Sequence, residues 1–399
     1  MDNKENLIIV NHGFLLGGPE TFFLKILPYF QTKFNIKIIL TSNKINKELL
    51  ESLPNNIDII YWNNLFPFTK KKIKQIIGNI DYVFSTLPQC YLLALVIAAT
   101  YTNKVKIIIS PHQTESFCAT ANIFRFHRFI SRYLLKFTPD ENIIFVNDAI
   151  KKHHSNILKR SFKKSWIIGL FVDPIKFKFI SQTPKARNRI IAVGRLASYK
   201  TYNLYLIDVF KKLNTNGSNL ILDIYGDGEL RGKMENLIKK NNVKNVHLKG
   251  SISYKDFPLV LKNYFLFIGS GTSVIEASLA GIPSITTIEN DLQGKSYGLF
   301  SKIKGKCYIE PNLNLKKYSI ENIINNVQKL SNKDYKQLKI SSHKKALQFA
   351  DEEIIKNYFN AFNKAKLVKL NKFMIFIYSI LYLIGAIINN IFLFIKKSF

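Results

Sequence analysis

The stretch FLFIGSGTSVIEASLAGIP, residues 265–283, holds the residue types best suited to a charged, hydroxyl-bearing ligand. An apolar run meets a Gly-Ser-Gly-Thr-Ser turn, then an Ala- and Leu-containing segment with one charge, Glu276, and a Gly-Ile-Pro stop. That order reads as strand, tight turn, helix. Gly269 and Gly271 permit backbone geometry closed to other residues, and the unpaired amides that open a helix favour an anion such as a phosphate. A single carboxylate one turn in, beside a phosphate, suits the hydroxyls of a ribose. Taken alone, an ordinary buried strand-turn-helix with a satisfied glutamate fits the stretch as well.

Three further features line up with Glu276. After the first apolar run, NHGFLLGGPETFFLKIL places Gly17 and Gly18 before Pro19 at a helix start, where bare backbone can approach a ligand. IIAVGRLASYKTYNLYLIDVF places Arg195 just past a strand end and Lys200 five residues on, two cations able to clamp a diphosphate. LDIYGDGELRGKM adds another strand-to-glycine turn at Gly226 and Gly228. Each alone is compatible with surface cations or a plain turn, but their joint order favours a site.

The elements that must position these residues are short apolar, β-branched runs. They fall at 7–10, 36–40, 57–62, 80–86, 105–110 and 142–147, and again at 189–194, 220–226, 246–250, 264–269 and 283–287. Helical stretches separate them, which indicates parallel, doubly wound sheets. The expected fold class is α/β, with two Rossmann-like domains facing a cleft. We place them at 1–175 and 188–345, followed by a helical return at 346–372. In such sheets, ligands bind at the carboxyl ends of the strands.

At 399 residues the chain has room for two such cores. Its net charge of +31 at first suggests nucleic acid or an anionic membrane. Only eight of the 58 basic residues are arginines, however, and no RNA-binding module or Arg-rich tail appears, so nucleic acid is not an expected partner. Three cysteines, Cys90, Cys118 and Cys307, form no CxxC pair, and a reducing cytoplasm is expected. The first residues are polar and lack the pattern of a secretory signal.

The combination resembles the glycosyl transferases group 1 family, retaining sugar-nucleotide enzymes of the GT-B fold. The resemblance covers roughly residues 7–345 and is most specific from 191 to 287. It implies that Arg195 and Lys200 contact the donor diphosphate and that Glu276 holds the donor ribose. Asp173 and Phe177 match the family's segment between domains. It also implies that His112, in IIISPHQTES, stands near the donor sugar and the reacting centre. Many members carry another glutamate eight positions before the ribose glutamate. Here that position is Ile268, so recognition of the sugar is expected to fall to Ser270, Gly271, Thr272 and Ser273.

The implied reaction moves a sugar from a nucleoside-diphosphate sugar to an acceptor hydroxyl with retention, and no separate cofactor is needed. The chain contains no Asp-x-Asp motif, so protein cations are expected to replace a metal. Two alternatives remain: a sugar-nucleotide epimerase of the same fold, or a catalytically silent membrane-tethered subunit that binds nucleotide sugar.

Residues 373–395 form a run of 23 without a charge, flanked by lysines. At ~1.5 Å per residue this is long enough for a hydrocarbon core of about 30 Å, although Gly385 permits a hairpin or an interfacial helix instead. From 120 to 137, Arg125, Arg128, Arg132 and Lys136 form one helical stripe beside aromatic residues, a basic amphipathic pattern suited to anionic lipid. The expected partners are therefore a nucleotide-sugar donor, a glycan or lipid-linked acceptor, and the cytoplasmic face of a membrane. Assembly of lipopolysaccharide, capsule or a similar surface glycan is the implied setting.

Overall fold

The computed structural model describes residues 4–14, 17–101, 104–114, 116–117, 126–184, 186–291, 293–310, 313–368 and 372–398. They form two compact units, one of Met1–Gly169 with Glu352–Phe399 and one of Leu170–Asp351.

The first unit carries strands β1 (Glu5–Asn11), β2 (Phe34–Leu40), β3 (Asp58–Tyr61), β4 (Tyr82–Ser85) and β5 (Lys106–Ile109), in the order β3-β2-β1-β4-β5. All four pairings are parallel. The strand order reverses between β1 and β4, which makes that gap the place where a doubly wound sheet opens to a ligand. The apolar run at 142–147 behaves differently from the others. Only β6 (Ile144–Phe145) is strand, and it pairs with β7 (Trp166–Ile167) outside the main sheet.

Helices of this unit used below are α1 (Gly18–Phe30), α2 (Pro88–Ala99), α3 (Phe126–Leu135) and α4 (Asp148–Leu158). Helix α2 is almost wholly buried, as its continuous apolar sequence requires.

The second unit holds β8 (Arg189–Val193), β9 (Ile221–Tyr225), β10 (Val246–Gly250), β11 (Leu266–Gly269), β12 (Ser284–Thr287), β13 (Lys295–Leu299) and β14 (Tyr318–Ser319). The order is β10-β9-β8-β11-β12-β13-β14, with β13 and β14 antiparallel. Alternate residues feed cores on the two faces. Ile190, Ala192, Leu266 and Ile268 point to one, Ile191 and Phe267 to the other. The helices that matter here are α5 (Tyr202–Thr215) and α6 (Thr272–Leu279).

The chain then returns to the first unit through α7 (Glu353–Lys364) and α8 (Lys372–Ser398). Phe359 and Phe362 of α7 pack on Phe30 and Phe34, with ring centroids 5.3–6.0 Å apart. Such aromatic pairs contribute beyond simple area burial. The helix Asn332–Leu347 stays with the second unit, and the return begins at Glu352.

The run at 373–395, read from the sequence as entering a membrane, lies within one continuous helix, α8. Among the described residues, no helix is long and apolar enough to cross one. Helix α8 lays one face on the first unit, burying Tyr378 and Tyr382. Tyr382 meets the rings of Trp62, Phe68 and His127. Nor does Gly385 break the helix into a hairpin. A Cβ there would stand 2.2 Å from Nε2 of His127, so glycine is the residue that lets the two helices close.

Candidate active site

In the second unit the sequence-predicted residues converge at the gap between β8 and β11, where the strand order reverses. Gly194 follows β8 and Ser270 follows β11. The turns after β8 and β9 interlock. Gly194, at φ +156°, and Gly226, at φ +152°, lie where side chains are strained, and a Cβ on Gly226 would stand 2.0 Å from the Gly194 oxygen. Gly226 thus has a packing role: it lets the Arg195 turn approach its neighbour.

Arg195 is exposed and makes no ion pair with a described residue, while Lys200 is buried. The Lys200 ammonium folds back toward Gly194, whose missing Cβ leaves it room: an added Cβ would stand 2.9 Å from Nζ. The hydroxyl of the buried Tyr202, at the start of α5, lies under the same turn. It would be 3.8 Å from a Cβ on either Gly194 or Gly269.

Helix α6 starts beyond Gly271, a left-handed cap at φ +77° with no side-chain partner for the first amides. Ser273 Oγ lies 3.1 Å from the Val193 oxygen and 3.2 Å from the Ser270 oxygen, stitching the ends of β8 and β11 together. Glu276 is buried on α6, and the Tyr254 hydroxyl donates to its Oε1 at 3.2 Å. The arrangement places two cations and a helix N-terminus around one strand-end gap, with a buried carboxylate one turn into the helix. Chemically it can hold a diphosphate and orient hydroxyls beside it.

Ile268 is wholly buried in the core and presents nothing to a ligand. The sequence reading missed the acid beside it. Glu289, two residues past β12, accepts from Ser270 Oγ at 3.2 Å. Desolvation raises the pKa of its carboxyl, while the nearby Lys200 charge and the Ser270 bond oppose that shift. The available signal was a carboxylate just past a strand adjoining β11.

His112, Gly17 and Gly18 belong to the first unit. Gly17 caps α1 in an extended conformation, and no atom stands within 4 Å of a Cβ on Gly18. His112 follows β5 and sets its ring edge-on to Phe22 at 4.7 Å. Its Nε2 is buried with no partner among the described residues, and burial lowers its pKa to about 3. Burial thus favours the neutral imidazole, and Nε2 is left with its hydrogen-bonding capacity unused among the described residues.

Asn11 at the end of β1, Thr86 just past β4 and Gln89 on α2 also carry buried oxygens with no partner among the described residues. All three lie where β1 and β4 diverge. Their signal in the sequence is a polar residue ending or closely following an apolar strand. Arg125 and the rest of 118–125 lie outside the described residues, as does Cys118.

Two doubly wound α/β units, the second with two cations and a helix N-terminus at its switch point, define a class of fold that can hold an anion at strand ends. Comparison with known proteins narrows it: residues 174–291 match the family model described as glycosyl transferases group 1. The match falls on the stretch where the sequence resemblance was most specific. A Campylobacter jejuni protein, N-acetylgalactosamine-N,N'-diacetylbacillosaminyl-diphospho-undecaprenol 4-alpha-N-acetylgalactosaminyltransferase, is 27% identical over 247 residues. That alignment takes 57% of this chain and 64% of that relative's length; two further curated relatives are matched over 23% and 28% of theirs. A Rickettsia africae glycosyltransferase structure superposes with a TM-score of 0.64 at 16% identity, covering 91% of this chain and 99% of that one. Anabaena HepE, solved with UDP and glucose, gives a TM-score of 0.66 at 15% identity and covers 89% and 98%. At these identities the structures establish the shared fold.

Proposed function

We propose that the protein is a glycosyltransferase that moves a sugar from a nucleoside-diphosphate sugar to an acceptor hydroxyl, with retention. The observation that carries this reading is the gap between β8 and β11, where exposed Arg195, buried Lys200 and the uncapped start of α6 surround one strand end. Breaking the anomeric C–O bond leaves growing negative charge on the departing diphosphate. Preorganised cations and amides stabilise that charge more than they stabilise the bound donor, which lowers the barrier. Glu276 takes the ribose hydroxyls. These protein groups stand in for a divalent metal, so a chelator should leave the rate unchanged. Loss of activity in EDTA, restored by Mn²⁺ or Mg²⁺, would refute that.

His112 is proposed to hydrogen-bond the reacting group through the Nε2 of a neutral ring, which has no partner among the described residues. Its neutrality suits a hydrogen bond and not an ion pair.

The acceptor is proposed to be lipid-linked, as in assembly of lipopolysaccharide, capsule or another surface glycan, on the cytoplasmic face of a membrane. Two surfaces of the first unit support lipid contact. On α3 and just past it, Phe129, Tyr133 and Phe137 are exposed at four-residue steps, each one position after Arg128, Arg132 and Lys136. On the outer face of α8, Phe373, Phe376, Ile380, Ile384 and Ile387 are exposed at helical spacing. An apolar row beside a basic one is the pattern of a helix that lies in the headgroup region. The name of the Campylobacter relative, which specifies an undecaprenol-linked acceptor, points the same way.

The test is binding and turnover in two variants. Arg195→Ala should weaken sugar-nucleotide binding by about tenfold or more through loss of charge-assisted hydrogen bonds, with the fold intact. His112→Ala should lower kcat more than donor affinity. Unchanged affinity in the first would remove this gap as the donor site.

A further inference from the structure

We propose that Glu289 is the residue that recognises the transferred sugar, supplying the carboxylate that position 268 lacks. The inference rests on the donor-site reading above. In a nucleoside-diphosphate sugar, the sugar hangs from the terminal phosphate. Whatever holds the diphosphate at Arg195, Lys200 and the start of α6 therefore puts the sugar within a few ångströms of the 269–273 loop. Sugar hydroxyls seek acceptors, and a carboxylate accepts more strongly than a neutral oxygen. Ile268 offers none and faces the core.

Glu289 stands on the neighbouring strand exit. β11 and β12 pair in parallel with Gly269 opposite Thr286, so residues just past β12 adjoin the 269–273 loop. Ser270 Oγ donates to Oε1 of Glu289 at 3.2 Å, which orients the carboxylate. The residue as a whole is partly exposed, while its carboxyl is desolvated.

Two further bonds hold this exit to the Lys200 turn. The amide of Asn290 donates to the Tyr199 oxygen at 2.7 Å, and Thr201 Oγ1 donates to the Asp291 oxygen at 2.6 Å. Asn290 takes a left-handed φ of 57°, turning the chain immediately after the acid. The carboxylate is thus tied to both the 269–273 loop and the diphosphate lysine, where a sugar attached to that diphosphate must lie.

The experiment compares UDP, GDP and ADP with UDP-glucose, UDP-N-acetylglucosamine, GDP-mannose and ADP-glucose by calorimetry, in the wild type, Glu289→Gln and Glu289→Asp. The readout is the ratio of sugar-nucleotide affinity to that of the matching free nucleotide. Glu289→Gln should lower the ratio about tenfold with free-nucleotide affinity nearly unchanged, and the shorter acid of Glu289→Asp should recover part of it. Equal weakening of both ligands would overturn the proposal, because the acid would then act only through Lys200. An unchanged ratio in a folded Glu289→Gln would overturn it too. A wild type that binds none of these nucleotides would bring down the donor-site reading itself, and this proposal with it.

Discussion

The Nε2 of His127 lies 3.0 Å from the main-chain oxygen of Tyr382, and the two rings stack at 5.1 Å with 17° between their planes. This contact joins α3 to α8 across 255 positions of the chain. It holds both helices on one surface of the first unit while their exposed aromatic and aliphatic rows face outward.

Lipid binding should follow that outward face. Replacing Phe376, Ile380 and Ile387 by serine removes exposed apolar area and leaves Tyr378 and Tyr382 docked. Affinity for vesicles containing anionic phosphatidylglycerol should fall about tenfold or more, with an unchanged unfolding midpoint. Cosedimentation that is the same for the variant and the parent would exclude α8 as a lipid contact. Raising the salt should weaken the remaining binding, since the row formed by Arg128, Arg132 and Lys136 is screened by ions.

Docking of α8 should depend on the glycine at 385. Gly385→Val puts bulk where His127 Nε2 lies, 2.2 Å from the first added atom, and the helices must separate. We expect a loss of about 2–4 kcal/mol in stability or release of α8, seen as faster proteolysis after residue 372. A protease pattern and midpoint equal to the parent's would contradict the packing described here.

Gly226→Ala should be among the most damaging single changes in the second unit. The new methyl overlaps the Gly194 oxygen at 2.0 Å, at a φ that alanine avoids. The turn that carries Arg195 must then move. Either the variant fails to fold or it folds with stability reduced by about 3 kcal/mol and with weakened nucleotide binding. Parent-like values of both would refute the interlock.

Stability should decline on mild acidification through His154 on α4. Burial lowers its pKa from 6.5 to about 4. Its Nδ1 donates to the Ile150 oxygen at 2.9 Å, and Nε2 accepts from the Phe117 amide at 3.5 Å, so the neutral ring is the one that fits. Between these two pKa values the unfolded chain binds a proton that the folded chain does not. The contribution is complete above about pH 6.5 and is lost as pH falls toward 4. Over the step from pH 7 to 5 it amounts to at most about 2 kcal/mol. Denaturant unfolding of His154→Gln should show a shallower loss across that step, and an identical slope would count against this account.

What the sequence by itself determined is the repeating frame. Ten of its apolar runs are strands of the two main sheets; most are buried on both faces, and parallel strands so placed must be apolar throughout and stand out as continuous runs. The turns bearing Arg195, Lys200 and Ser270 were legible for the same reason: glycines and polar residues end those runs abruptly. The run at 142–147 shows the limit. Apolar residues there fill the core as only a two-residue strand, since an apolar run records burial and not pairing. Strands β13 and β14 lie at the sheet edge, where a mixed sequence such as KSYGL carries too little alternation to stand out. Only the tertiary structure decided the course of α8, because 23 uncharged residues satisfy a bilayer and a protein surface equally well until His127 and Gly385 meet. Glu289 was hidden on the same principle. A carboxylate 21 positions beyond Ile268 reaches the loop after β11 through a strand crossover, and local spacing carries no record of which strand lies next to which.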